Sequence, residues 1–424
     1  MNILFVVPYT PSPIRTRPYN LIRSLSRRGH SITLATLWNS QDEFQAVNHI
    51  LKDCAQVIVH RMPRWLSLYN CLVALPTRKP LQSVYSWQPT LASALDFILS
   101  DEKQNFDLVH IEHLRGARYG LFIRSRQAPK GRLSQPPIIW DSVDSISYLF
   151  RQAAKKSASK FSRLITQIEL DRTERFEAFL PKVFDRTLVT SPIDQQAFLS
   201  LLTHNAENST ISILPNGVDL EHFKPWEGER EPATLVLSGK MSYHANISMV
   251  WFHISEVMPL VWLKHPDVKL WIVGKDPPKE IQALARDPRI TVTGAVDDVK
   301  PYLQKATLAA APVLYGAGIQ NKVLEAMACA TPVVATPMAV AAINAASGEH
   351  VMLAQEPGQI AETIINLLEH PDMRHRIGLN GRSFVEEHHS WDKVACLLEG
   401  IYFEVKHHRT QSLNGGSKHH EELD

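Results

Sequence analysis

Short apolar runs recur along this chain with stretches of helical period between them. Ile3–Val7 is one such run, Leu21, Ile22 and Leu25 fall at helical spacing within Tyr19–Arg28, and Ser31–Thr36 is apolar again. That order predicts strand, helix, strand. Gly29-His30 stands where the helix ends, as a C-terminal glycine does. The alternation returns at Leu108–Ile111, Ile138–Asp141 and Thr187–Thr190, which predicts a doubly wound parallel sheet. After Ile211–Leu214 comes a turn at Pro215-Asn216-Gly217, and Lys224–Pro232, rich in Pro, Glu and Gly, reads as a linker. A second series follows at Thr234–Leu237, Val268–Val273, Ile290–Val292, Leu308–Ala311 and Pro332–Ala335. The expectation is an α/β chain of two Rossmann-like domains facing an inter-domain cleft.

Length supports the division, because 424 residues exceed what one hydrophobic core usually serves. A balance of 45 Lys and Arg against 43 Asp and Glu argues against nucleic acid as the main partner. Cys54, Cys71, Cys329 and Cys396 form no close pair, which suits a reducing compartment. The start reads as a buried strand and not as a signal peptide, and the apolar stretches near Ala309 and Val333 are interrupted by Pro312 and Pro337. A cytoplasmic protein is expected. The run Arg151, Lys155, Lys156, Lys160 and Arg163 could present cations to an anionic acceptor or to the inner face of a membrane as a peripheral contact. From Lys406 the chain loses its apolar period and reads as disordered. His407-His408 and His419-His420 lack the supporting ligands of a metal site.

Several familiar chemistries are missing. The first strand-to-helix turn, Pro8 to Arg15, holds no glycine through which a dinucleotide pyrophosphate could approach the backbone. No phosphate loop of the Gly-x4-Gly-Lys type, no Gly-x-Ser-x-Gly elbow and no His-Glu-x-x-His occurs. The informative stretch is Gly316-Ala317-Gly318-Ile319-Gln320-Asn321-Lys322-Val323-Leu324-Glu325, where a glycine-bearing loop runs into a helix. Unpaired amides at such a helix start, with the helix dipole, favour phosphate oxygens. Lys322 adds a mobile cation, and Glu325, one turn on, could accept two ribose hydroxyls. An ordinary Lys-Glu surface pair has the same spacing.

This segment and others in order resemble the retaining glycosyltransferases of family 4. Asn216-Gly217-Val218-Asp219 followed by Phe223-Lys224-Pro225 is similar to the inter-domain signature, and Ser238-Gly239-Lys240-Met241 with Asn246 is similar to the phosphate-side loop. Trp271-Ile272-Val273-Gly274 and Val292-Thr293-Gly294 with Val299-Lys300-Pro301-Tyr302 resemble the nucleobase side, and Ser390-Trp391 the terminal segment. The resemblance implies the GT-B fold and metal-independent transfer, with retention, from a nucleoside diphosphate sugar, with no further cofactor. The pattern is nearest to exopolysaccharide-type sugar transferases, so a glycan or lipid-linked acceptor is implied. It places Lys240 and Lys322 on the leaving diphosphate, and Gly239, Gly318, Ile319, Gln320, Asn321, Val323, Glu325, Thr293 and Asn216 on the donor. Two departures stand out. The family's Glu-x7-Glu motif has Ala317 at its first carboxylate, and the Arg commonly paired with a Lys on the phosphate loop is missing after Lys240.

In the first domain, Asp107-Leu108-Val109-His110-Ile111-Glu112-His113 matches a strand ending at the cleft. Glu112 or His113 is the expected general base or acceptor-orienting group, with His110, Asp141, Asp144, Arg15 and Arg17 on the acceptor side. The domains expected are 1–218, a linker at 219–232, 233–388, a terminal helix at 389–405 crossing back, and the tail 406–424. Two other readings share these residues: a nucleotide-sugar epimerase, and a binding protein that keeps the pocket and has lost transfer chemistry.

Overall fold

Ile3 to Val7 have no exposed surface, as a strand covered on both faces requires, and make up most of β1 (Asn2–Val7). It is followed by β2 (Ser31–Trp38), β3 (Gln56–Arg61), β4 (Leu108–Glu112), β5 (Ile138–Val143), β6 (Arg186–Val189) and β7 (Ile211–Ile213). They form one parallel sheet in the order β3-β2-β1-β4-β5-β6-β7. The computed structural model describes residues 1–13, 15–101, 103–126, 135–156, 160–202, 210–315 and 319–418, with side chains described outside 153–165, 410 and 412–418. Helix Thr16–Arg27 buries Leu21, Ile22 and Leu25 between β1 and β2, as their spacing predicts.

The second sheet is parallel throughout and built the same way, from β8 (Thr234–Ser238), β9 (Lys269–Val273), β10 (Ile290–Gly294), β11 (Leu308–Ala311), β12 (Val333–Ala335) and β13 (Met352–Leu353). Its order is β10-β9-β8-β11-β12-β13. The chain divides into Met1–Leu214 with Val394–Asp424, and Pro215–Lys393. Each unit is a Rossmann-like α/β domain with its own hydrophobic core.

The observed boundary falls after Leu214, earlier than the pattern suggests, because Pro215 to Val218 are tied to the end of the second unit. Val218 N donates to His389 O (2.7 Å), His389 Nδ1 shares a hydrogen bond with Asn216 O (3.0 Å), and Gly217 lies against the Trp391 ring. The stretch 219–232 is likewise part of that unit. Arg230 donates to the carbonyls of Gln304, Ala306, Cys329 and Ala330 at 2.8–3.1 Å, and Arg382 donates to Phe223 O. The final helix, Trp391–Lys418, runs through residues expected to be disordered from 406 onward. Lys406 pairs with Asp107 and Arg409 with Asp185, which anchors the turns beyond Tyr402 to the first unit. Of the basic run from 151, Arg151 pairs with Glu174 and the side chains at 155, 156, 160 and 163 lie outside those described. Among the described residues no helix is long and apolar enough to cross a membrane.

In each sheet the strand order reverses once, between β1 and β4 and between β8 and β11. Loops leaving the carboxyl ends of strands diverge at such a point, which is where open α/β sheets bind ligands.

Candidate functional site

At the second reversal, β8 is followed by Gly239, whose φ of +145° is open to glycine, and then by Lys240, which is exposed. Gly274, after β9, has φ +149°, and a Cβ there would lie 1.7 Å from Gly239 O. The two glycines thus let the turns touch and set the path of the Lys240 loop. Asn246, in helix His244–Phe252, fastens that loop: its Nδ2 donates to Lys240 O at 2.8 Å. Its Oδ1 accepts from Lys322 Nζ at 2.5 Å. Lys322 belongs to the first turn of helix Asn321–Ala328, whose N-cap, Gln320, makes no side-chain cap. One amide therefore joins the loop after β8 to the helix that follows β11.

The hydrogen-bond partner of Lys322 is neutral, so the ammonium keeps its charge. Burial pushes its pKa down to about 8, opposed by Glu325. Burial pushes Glu325 up to about 7, opposed by Lys322. At pH 7 the lysine is mostly protonated, and the carboxyl is poised between its two forms. Ile319 and Val323 are core residues, and Val323 N donates to Gln320 O, so the Val323 side chain anchors the helix. Asn216 Nδ2 donates to Asn321 Oδ1 at 3.3 Å, bringing two of the expected donor residues together. Thr293 stands apart at the end of edge strand β10, its hydroxyl donating to Gly294 O. Gly318, like Gly316 and Ala317, lies outside the described residues.

One pair went unread in the sequence. Tyr315 OH and His244 Nδ1 share a hydrogen bond of 2.8 Å with their rings stacked 5.4 Å apart. It anchors the described end of the loop after β11 to the helix that carries Asn246. The partners lie 71 positions apart, and no short pattern announces such a contact.

In the first unit the corresponding point gathers a buried charge network. Arg17 donates to both Asp141 oxygens, Nε to Oδ2 at 2.9 Å and Nη2 to Oδ1 at 3.1 Å, and also to Leu214 O. Arg17 is therefore turned inward onto Asp141, away from the substrate-facing position expected for it. His110 stacks on Phe5 with ring centroids 4.3 Å apart and shares a 2.8 Å hydrogen bond, through Nδ1, with the Tyr402 hydroxyl. Its Nε2 lies 3.7 Å from both Glu112 Oε2 and Asp141 Oδ2. Tyr9 OH donates to Glu112 Oε1 at 3.2 Å. Burial holds His110 down at about 4 and lifts Glu112 to about 7. His110, Glu112 and Asp141 could converge on a cation, but Asp141 already has its counter-ion in Arg17.

His113 differs from its buried neighbours in keeping part of its side chain accessible. It has φ +62°, starts helix His113–Arg124, and is held neutral, near a pKa of about 4, by burial and Arg115. Of the two groups expected to face the acceptor, it is the accessible one. Arg15 pairs with Glu43 at 2.5 Å, and Asp144, raised to about 7 by burial and Asp194, accepts from Thr190 Oγ1. The Tyr9 and Tyr402 partners were not legible in the sequence: Tyr402 lies 292 residues from His110.

Residues 232–370 match the family described as glycosyl transferases group 1. A 44.6 kDa protein encoded in the cps region of Klebsiella pneumoniae is 24% identical over 52% of this chain and 58% of its own length. The GDP-mannose-dependent monoacylated alpha-(1-6)-phosphatidylinositol monomannoside mannosyltransferase of Corynebacterium glutamicum is 26% identical over 52% of this chain and 64% of its own length. The chain thus matches under two thirds of either relative. Among solved structures, sucrose-phosphate synthase from Thermosynechococcus elongatus superposes with a TM-score of 0.68 over 96% of this chain and 99% of that one, at 18% identity. Anabaena HepE, solved with UDP and glucose, gives 0.64 over 95% and 100%, at 15% identity. These likenesses share the GT-B fold. Residues 232–370 therefore form a glycosyl transferases group 1 domain, within a chain of the GT-B fold.

Proposed function

We propose that this chain transfers a sugar from a nucleoside diphosphate sugar to a glycan or lipid-linked acceptor, with retention at the anomeric carbon and without a metal. The observation that carries this reading is Lys322, held by a neutral amide at the start of helix Asn321–Ala328 with Glu325 one turn on. Departure of a nucleoside diphosphate builds negative charge on its phosphate oxygens, and a preorganised cation that is not already neutralised stabilises that charge. Lys240, exposed on the adjoining loop, supplies a second cation. Glu325 as a carboxylate accepts the ribose hydroxyls. On the first unit, neutral His113 orients the acceptor hydroxyl. The names of relatives support the donor class, since one is a GDP-mannose-dependent transferase and HepE was solved with UDP-glucose.

Incubation with a panel of nucleotide sugars and glycan or lipid-linked acceptors tests the reading. Sugar appearing on an acceptor with its donor's anomeric configuration supports it, and an inverted product overturns retention. A donor isomerised without transfer would make the chain an epimerase. Tight binding without turnover would leave a binding protein, the outcome that Ala317 in place of the usual carboxylate would favour.

A further inference from the structure

Helix Arg64–Ala74 is amphipathic in the wrong sense for a helix packed on a sheet. Its inward positions are mostly small or polar: Ser67 and Ala74 are buried, Asn70 donates to Trp87 O at 2.9 Å, and Leu66 packs against the core from the flank. Its outward face carries Trp65, Leu68, Tyr69 and Leu72, with Leu75 just beyond, each between 50% and 66% exposed. At 100° per residue these positions fall on one side of the helix, opposite Ser67, Asn70 and Ala74. Single exposed apolar side chains are ordinary, but a contiguous group of this kind marks an interaction surface.

The charge around it indicates what covers it. From Cys54 to Leu95 the chain has no Asp or Glu and four cations, Arg61, Arg64, Arg78 and Lys79. Arg64 opens the helix, Arg78 and Lys79 follow its end, and all three are exposed and make no ion pair among the described residues. Glu169, which packs near the helix end, is already satisfied by Arg172 and by Leu81 N. Apolar anchors with tryptophan and tyrosine among them, flanked by three exposed cations and with the nearby Glu169 already paired, match the boundary between acyl chains and anionic headgroups. At 11 residues the helix is too short to span a bilayer and long enough to lie in its surface.

We propose that this helix docks the first unit on an anionic lipid bilayer, with Trp65, Leu68, Tyr69 and Leu72 entering the interface and Arg64, Arg78 and Lys79 facing the headgroups. This surface is separate from the run at 151–163, and the proposal stands whether or not the chain transfers sugar.

Sedimentation of the full chain with vesicles of phosphatidylcholine, alone or mixed with phosphatidylglycerol, tests it. Binding is expected to the mixed vesicles and to weaken at high salt. A Leu68→Asp/Leu72→Asp variant, and separately an Arg78→Glu/Lys79→Glu variant, should each weaken it roughly tenfold or more. The parent's Trp65 emission should shift to the blue on binding, a change missing from Trp65→Phe. Both double variants should keep parental donor affinity and melting temperature, and should the first fail to fold, the second, outside the helix, still decides. Equal binding of parent and variants overturns the proposal, as does no binding to either vesicle. A concentration-dependent dimer that Leu68→Asp/Leu72→Asp abolishes would assign the face to a second copy of the chain instead.

Discussion

Asn246 sets how much charge Lys322 can offer. Because the amide holds the ammonium without neutralising it, Asn246→Asp should place a counter-ion there and, with no N–H left for Lys240 O, also release the Lys240 loop, so binding of a nucleoside diphosphate sugar should weaken. Lys322→Ala should lower turnover more than donor affinity, since charge on the leaving group grows toward the transition state. Glu325→Gln should weaken the free nucleoside diphosphate and the full donor alike, by about 10- to 150-fold, because both carry the ribose. The same two residues set a pH window. Glu325 ionises through about 7 and Lys322 loses its proton through about 8, so donor affinity should rise across the first value and fall above the second. Calorimetric titrations with a nucleotide sugar, whose diphosphate stays ionised throughout, read this directly. Lys322→Ala should lose the alkaline limb and move the acid limb to higher pH, since the lysine no longer opposes the rise of Glu325; an unchanged profile would remove the lysine from the diphosphate.

The elements that read most clearly were the buried central strands, because a parallel strand covered on both faces is a plain apolar run. Strand β3 was missed: it is an edge strand, and Gln56–Arg61 is half-exposed with polar ends. Strand β13, two residues long, offers no period at all. Residues 406–418 were misread because the anchors of that stretch, Asp107 and Asp185, come from remote strand ends, and 419–424 lie outside the described residues. The glycine-bearing loop before Lys322 was legible as chemistry, whereas the Gly239–Gly274 contact was not, since it needs two strand ends brought side by side. That contact supports a sharp comparison. Gly274→Ala puts a methyl group into Gly239 O at φ +149°, and should sharply lower the melting temperature and abolish donor binding. Gly294→Ala, at φ +67° with nothing within 4 Å, should cost only about 1–2 kcal/mol and spare binding. Similar losses in both variants, read by calorimetry and donor titration, would mean that backbone conformation and not the close approach governs this region.

Over the whole molecule, the repeated strand-helix alternation made two parallel sheets legible, but the buried titratable groups they enclose were not, because burial is a property of the packed fold. These groups set a balance in opposite senses. Glu112, Asp144, Glu177 and Glu325 are lifted to about 7, while His110, His113 and His253 are pushed down to about 4, burial being the first cause for each. A carboxyl whose pKa is raised on folding stabilises the fold below its unfolded value and loses that contribution as pH climbs through the folded one. A histidine whose pKa is lowered does the reverse: its contribution is full above about 6.5 and is lost as pH falls toward about 4. Between about pH 4.5 and 6.5 the folded chain keeps carboxyl protons that the unfolded chain has released, and lacks imidazolium protons that the unfolded chain carries. The two nearly cancel, so the melting temperature should change little from pH 5 to 6.5 and fall by pH 8, once the carboxyls have ionised. His253 offers a way to tilt this balance, since it is fully buried and neither ring nitrogen has a hydrogen-bond partner among the described residues. His253→Leu removes one opposing group of similar volume, so it should stabilise the protein, by about 2 kcal/mol more at pH 5 than at pH 8, where the unfolded imidazole is no longer charged. Calorimetric scans of parent and variant at the two pH values make the comparison. An equal gain at both would mean that the folded imidazole protonates as readily as the unfolded one, and that its burial does not set the acid limb of stability.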